Sequence, residues 1–285
     1  MKTAMLFLGI IGTVVLTAYG AEEENYWETI VALAKDGTAS GKQELGAYLK
    51  SLTRDQMLTA ARQYSRIAQG KVPPAMGTMN LGLVLAYYRE DTGGASDDSL
   101  DKLLAIIADD NETEFLRHAL ANMLYGGFFG FPRRFADGQE ERVLKTLISV
   151  LCDKAAPPAL RHQCSVSLRG LLQEAYTAVI YSDPAVREVQ RTGPRERFQN
   201  VFSLIDAGEV QLAEETKARL VEPRKRIHAL RDILTAIAQD ESEPERLRRF
   251  ADACLTSTAT LPLLELEARA RKGDITDING SGKAW

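Results

Sequence analysis

The residues best suited to grip a ligand gather in one Gly-rich stretch, Tyr125-Gly-Gly-Phe-Phe-Gly-Phe-Pro-Arg-Arg-Phe135. Aromatic rings give a large contact area for few rotatable bonds, and rings clustered on an exposed connector mark binding spots. Tyr125, Phe128, Phe129 and Phe131 would supply that area, and Arg133 and Arg134 beside them would hold an anionic group. The alternative is that the rings tuck under the connector and fill a gap between helices, with the two arginines solvated. A second cluster is basic: Arg224, Lys225, Arg226 and His228, with Arg231 close behind. Such a run meets phosphate, anionic lipid or an acidic partner, or is simply the wet face of a helix; Glu222 and Asp232 flank it, which suits the wet face. His118 and His162 form a third candidate, as a metal pair or an acid–base pair. No further ligand type recurs with them, which favours a polar helix face. Asp277-Ile-Asn279-Gly-Ser281-Gly282 echoes the first half of an EF-hand loop, but the Glu that closes such a loop would fall beyond Trp285.

None of these clusters is a reaction centre. HExxH, a P-loop, G-x-S-x-G and G-x-G-x-x-G are all missing, so no catalytic residue, metal or cofactor is assigned. The formal net charge of −4 provides no global field for nucleic acid. Hydrophobic content of 45% and charged content of 26% are those of an ordinary globular chain.

The elements that must position the candidates show themselves as a repeat. Leu103–Asp109, Leu147–Asp153 and Leu234–Asp240 align, and each Asp is followed eight residues later by Arg117, Arg161 or Arg248. Arg117 and Arg161 are 44 residues apart, and Arg161 and Arg248 are 87 apart, close to two such steps. Leu116, Leu120 and Leu124 lie at −1, +3 and +7 from the first Arg; Leu160, Cys164 and Leu168, then Leu247, Ala251 and Leu255, repeat the pattern. That spacing is one helical face. In the first helices Leu103, Leu147 and Leu234, each with an apolar residue three on (Ile106, Val150 and Ile237), make another. Two amphipathic helices joined by a short polar turn form an αα-hairpin. Hairpins that cannot bury both apolar sides alone are expected to stack. His118 and His162 occupy equivalent positions, where the third copy has Arg249; the repeated arginines are expected to bind helix ends or neighbouring carboxylates.

The dipeptides Leu116-Arg117, Leu160-Arg161 and Leu247-Arg248 make the chain resemble the HEAT-repeat family. The resemblance implies an all-α fold: an α-solenoid of antiparallel helix pairs, HEAT- or armadillo-like, in a right-handed superhelical stack. It departs from the family in the Asp, which normally sits about six residues before the Arg, so the turns here are longer and the usual Asp–Arg ladder is in question.

Residues 1–20 have the layout of a secretory signal peptide: Lys2, the apolar run Ala4 to Leu16, then Ala18-Tyr19-Gly20 before Ala21. The run is short for a spanning helix, so membrane contact is expected only if the signal stays attached. Residues 21–273 form the helical-repeat domain, with clear repeats at about 100–125, 143–172 and 230–257 and a diverged segment at 173–224; residues 274–285 are a flexible tail. Thr53-Arg-Asp-Gln56 and Ser242-Glu-Pro-Glu245 read as capping boxes. Helices are expected at 24–35, 40–51, 54–69, 195–206 and 209–221. Asp183-Pro184 should start another helix, Gly193 should break it, and Pro223 should separate 209–221 from the last repeat. Cys152, Cys164 and Cys254 sit at apolar helical positions, which reads as buried thiols ahead of a Cys152–Cys164 bridge. The function implied is a non-catalytic binding or scaffolding module, secreted or periplasmic, whose partner is another protein or an envelope polymer. The rival is an exported all-helical hydrolase-like enzyme using dispersed carboxylates with Arg or His. A structural piece of a larger assembly, docking through 173–224, is a third reading.

Overall fold

The computed structural model describes residues 25–71, 97–125, 138–193 and 201–256. Among these the regular elements are all α-helices: α1 Tyr26–Lys35, α2 Ala39–Ser51, α3 Arg54–Ala68, α4 Asp97–Ala108, α5 Glu114–Tyr125, α6 Gln139–Cys152, α7 Pro158–Ser182, α8 Pro184–Thr192, α9 Val201–Asp206, α10 Glu214–Arg219, α11 Val221–Gln239 and α12 Glu245–Thr256. The chain divides into two compact units, Met1–Cys164 and Ser165–Trp285, with the boundary inside α7. Residues 1–24, the 126–137 connector and residues 257–285 lie outside the described residues, and with them the expected signal segment, Phe128, Phe129, Phe131, Arg133, Arg134, and the expected tail with its EF-hand echo. Tyr125 closes α5, but its side chain is likewise outside the description.

Helix starts follow side chains that satisfy the otherwise unbonded first-turn N–H groups. Asn25 accepts from the Glu28 amide at 3.1 Å, and Thr38 from the Gly41 amide at 3.1 Å. Thr53 and Gln56 form the expected capping box, Gln56 Oε1 accepting from the Thr53 amide at 2.8 Å. Gly41 is fixed by space: a Cβ there would collide with the Asp36 backbone carbonyl.

The three repeats share one turn. Asp109, Asp153 and Asp240 each accept, on a carboxylate oxygen, the backbone N–H two residues on, at 2.9 Å in every copy. Each of these Asp carbonyls also accepts the N–H three residues on, and the Arg117, Arg161 and Arg248 amides each open the second helix by bonding the carbonyl four residues back. This is an Asx turn running into a helix start, and it explains why the Asp stands eight residues before the Arg. The expected buried faces hold. Leu103, Leu147 and Leu234 are buried, as are Ile106, Val150 and Ile237; in the second helices every slot is buried except Leu255, which is half-buried. Each such Leu is worth roughly 1.5–3 kcal/mol of burial.

In the first unit α1 packs on α2 and α3, α3 on α5, and α4 on both α5 and α6. Trp27, Tyr64 and Phe115 link α1, α3 and α5 as a chain of rings, with centroids 4.4 and 5.6 Å apart. Surface ions tie successive helices: Lys102 of α4 to Asp55 of α3, and Arg142 of α6 to Asp101 of α4 at 3.0 Å. Gln163 of α7 donates to Asn122 of α5 at 3.1 Å.

In the second unit α11 packs on α12 and on α10. Asp183 caps α8, which Pro184 begins and Gly193 ends, as expected. Several expectations are corrected here. Residues 209–221 are not one helix: α10 covers only Glu214–Arg219, and Pro223 lies within the first turn of α11, where the lack of an N–H costs nothing. Ser242 does not cap α12; its hydroxyl and amide both bond Asp240, and Pro244 supplies the carbonyl that starts the helix. Helix α7 runs on past 172 to Ser182, burying Tyr176 and Ile180 along the way. The thiols are also split: Cys164 and Cys254 are buried, but Cys152, the last residue of α6, is exposed. None of the three is in a disulfide.

Candidate functional site

Helix α3 buries Met57, Leu58, Ala60, Ala61, Tyr64, Ser65 and Ala68, which leaves a polar stripe. Thr59, Arg62, Gln63 and Arg66 make up that stripe at i, i+3, i+4 and i+7, one side of a helix. Opposite stands the α4–α5 turn, where Asp109, Asn111 and Glu112 are held by the Asx turn just described. Together they line an open cleft of about 290 Å³ within the first unit.

Two interactions fix its walls. Arg62 donates from Nε at 2.8 Å and from Nη2 at 2.5 Å to a single oxygen, Oε1 of Glu112. The pair is partly sheltered, with side-chain exposures of 35% and 14%, which limits its screening by salt. On α3's other flank Gln63 Oε1 accepts the Trp27 amide at 3.1 Å, tying the stripe to α1. Asp109 is held below the usual carboxylate range, first by the Asn111 backbone amide and then by the Asn111 side chain, with weaker help from Arg117 and Arg62. It is therefore an ionised turn former, not a proton donor near neutral pH.

The repeated arginines take structural roles. Arg117 Nε donates to the Ile107 carbonyl and Arg161 Nε to the Leu151 carbonyl, both at 2.9 Å, so each buried guanidinium caps the end of its first helix. Arg117 Nη1 also meets Asp110 at 2.7 Å. The Asp–Arg pair thus uses the neighbour of the shared Asp109, and it does not recur: Lys154 and Glu241 stand at the equivalent positions. Arg248 differs again, being half-buried, with an Nε that finds no hydrogen-bond partner among the described residues.

His118 corrects the polar-face expectation, because it is buried at 7% exposure. Burial, and secondly the nearby His162, push its pKa down to about 4. His162 is near enough to act on it electrostatically, but no group of three or more His, Cys, Asp or Glu placed to hold a metal is found among the described residues. Arg249, their counterpart in the third copy, is exposed and paired with Glu245 at 2.5 Å. Cys164, buried near Arg117, has its thiol pushed up to about 12 by burial, which makes it a packing group and not a nucleophile.

The basic run lies on α11, spread around the helix. Lys225 and His228 are exposed, Arg226 pairs with Glu222 at 3.2 Å, and Arg224 is half-buried. No described helix is long and apolar enough to cross a membrane. No protein-family model, curated protein or solved structure matches the chain.

The cleft residues other than Asp109 are absent from the sequence reading. Two signals pointed at them: the polar i, i+3, i+4, i+7 stripe on α3, and the lengthened Asp-to-Arg turn, whose extra residues carry Asn111 and Glu112 toward α3.

Proposed function

We propose that this chain is a non-catalytic binding or scaffolding module: a right-handed stack of antiparallel, HEAT-like helix pairs that acts after export, in the periplasm or outside the cell, on another protein. The observation that carries the reading is the use made of the recurring polar residues. Asp109, Asp153 and Asp240 shape turns, and Arg117 and Arg161 cap helix ends, so the most regular polar chemistry in the sequence serves hairpin construction. A chain whose repeated signal is architectural suits the extended surfaces that stacked hairpins present. The packing of α4 on α6 and the Asn122–Gln163 bond between α5 and α7 are the contacts expected where one hairpin meets the next.

The test is reconstitution. Chain from Ala21 onward is crosslinked in native envelope and secreted fractions, the captured protein is identified, and both are purified and mixed. Parallel baits carry Arg62→Glu with Arg66→Glu, or Phe128→Ala with Phe129→Ala and Phe131→Ala. A one-to-one complex from pure components is the expected result, and the bait that loses it locates the contact. Purified candidates that fail to associate with any bait would overturn the reading.

A further inference from the structure

The turn of the first repeat carries a triplet that its two counterparts lack. Asn111-Glu112-Thr113 is an Asn-x-Thr sequence with no proline in the middle, whereas the same backbone positions hold Ala155-Ala156-Pro157 and Ser242-Glu243-Pro244. The correspondence is fixed by hydrogen bonds: the Thr113, Pro157 and Pro244 carbonyls each accept the amide of the Arg four residues on. Asn-x-Ser/Thr is the acceptor sequence for N-linked carbohydrate in exported chains. A second such triplet, Asn279-Gly280-Ser281, lies outside the described residues. A triplet alone can match by chance; its surroundings decide whether it can carry a sugar.

The three side chains of Asn111-Glu112-Thr113 have separate duties. Glu112, 14% exposed, reaches to Arg62. Thr113 Oγ1 accepts the Leu116 amide at 3.2 Å and so caps α5. Asn111 is exposed in the turn between α4 and α5, which is where a bulky, solubilising group can be borne without disturbing packing. Its carboxamide is also dispensable to the turn. Asn111 Nδ2 donates to Asp109 Oδ1 at 2.9 Å, yet the second copy, with Ala155 in that place, closes the same Asx turn with a backbone bond of 2.9 Å. Nδ2 carries two hydrogens. A glycosylated carboxamide keeps one of them, so the bond to Asp109 can persist beneath a sugar.

We infer that Asn111 is an N-glycosylation site, which receives an oligosaccharide from a lipid-pyrophosphate-linked donor during export. Asn111 Nδ2 forms a bond to the anomeric carbon of the first sugar, and the bond from that carbon to the pyrophosphate oxygen breaks. The amide gives up one proton, the lipid pyrophosphate leaves, and nothing is oxidised or reduced. This inference rests on the export part of the reading above, to which it adds a covalent modification of the exported chain.

The test is mass spectrometry of the full chain, expressed with its leader in its own cells and recovered from the envelope and secreted fractions. Trypsin cuts after Lys102 and Arg117, so residues 103–117 form one peptide that holds this triplet and no other. That peptide is expected to carry one or more sugar residues in the majority of molecules, and electron-transfer fragmentation should place them on Asn111. Asn111→Gln should abolish the added mass. Thr113→Ala should abolish it too, while Thr113→Ser, which keeps both the triplet and the α5 cap, should retain it. A bare 103–117 peptide in exported wild-type chain overturns the inference, as does a sugar that persists in Asn111→Gln, which would sit on a hydroxyl instead. The same digest reports the cut before Ala21, so the two readings fail separately. A cut, exported chain with a bare peptide removes only the glycan. An uncut chain kept inside the cell with a bare peptide removes both the glycan and the export. A sugar on Asn111 in a chain that captures no partner removes only the binding module.

Discussion

Lowering the pH from 8 to 5 should destabilise the first unit by about 2 kcal/mol through His118 alone. The imidazole is 7% exposed, and its pKa is pushed from 6.5 to about 4, first by burial and then by His162. The unfolded chain therefore takes up the proton before the folded one does. Above pH 6.5 neither state is protonated and the group is neutral to stability. Between 6.5 and 4 stability falls steadily, and below 4 the loss levels off at about 3 kcal/mol, from a gap of roughly 2.5 units at 1.36 kcal/mol each. Urea midpoints for the wild-type chain and for His118→Gln, at pH 8 and pH 5, isolate the effect, since the carboxylates are common to both proteins. The wild-type midpoint should drop more by an amount equivalent to about 2 kcal/mol. His162→Gln should remove a minor part of the difference, because burial is the larger cause. An equal drop in wild type and His118→Gln, or an imidazole that titrates near 6.5 by NMR, would refute the reasoning.

Arg161→Met should cost about 2–3 kcal/mol in chemical unfolding, because it strips the charge-assisted bond from the buried Leu151 carbonyl; Arg248→Met, whose Nε caps nothing, should cost under about 1. Asp183 accepts from the Ala185 amide at 2.8 Å and the Ala213 amide at 2.9 Å while almost fully buried, so Asp183→Ala should cost about 2 kcal/mol or more and raise amide exchange at both residues. Burial opposes its ionisation, but the bonds from Thr216, Ala213, Ala185 and Val186 outweigh it and hold its pKa low. Its stabilisation is therefore present above the ordinary carboxylate range and is lost on acidification, and Asp183→Asn should flatten that acid limb.

The helix–turn–helix pairs were legible because burial writes itself into spacing: Leu116, Leu120 and Leu124 recur as Leu160, Cys164 and Leu168, and one rule explains both. The Asp–Arg offset of eight was visible too, although its cause, an Asx turn followed by a helix start, became clear only from the backbone bonds. What stayed hidden depended on a second element. Nothing local distinguishes Arg62 from Arg66, yet one is held by Glu112, 50 residues away, and the other is not. His118 looked like a surface residue because His is polar; its burial is set by the neighbouring helix, which a single helix's pattern does not report. Cys152 misled in the opposite direction, since an apolar type at a helix end need not face inward. Pro223 was read as a break between helices, yet it lies in the first turn of α11, where the N–H that proline lacks has no helical partner anyway.

The repeated turn has one more consequence. Its backbone shape is set by the Asp at its start and by the carbonyl that opens the next helix, so the same turn forms around different side chains between them. They have diverged accordingly: Asn111-Glu112, Ala155-Ala156 and Ser242-Glu243 occupy identical backbone sockets. Such a socket can exchange its cargo without refolding. The first presents an exposed amide beside an acid that reaches a neighbouring arginine, while Ala156 and Glu243 are buried. A lineage could thus retune what this edge of each helix pair presents by substituting two residues at a time, leaving the frame that holds them untouched.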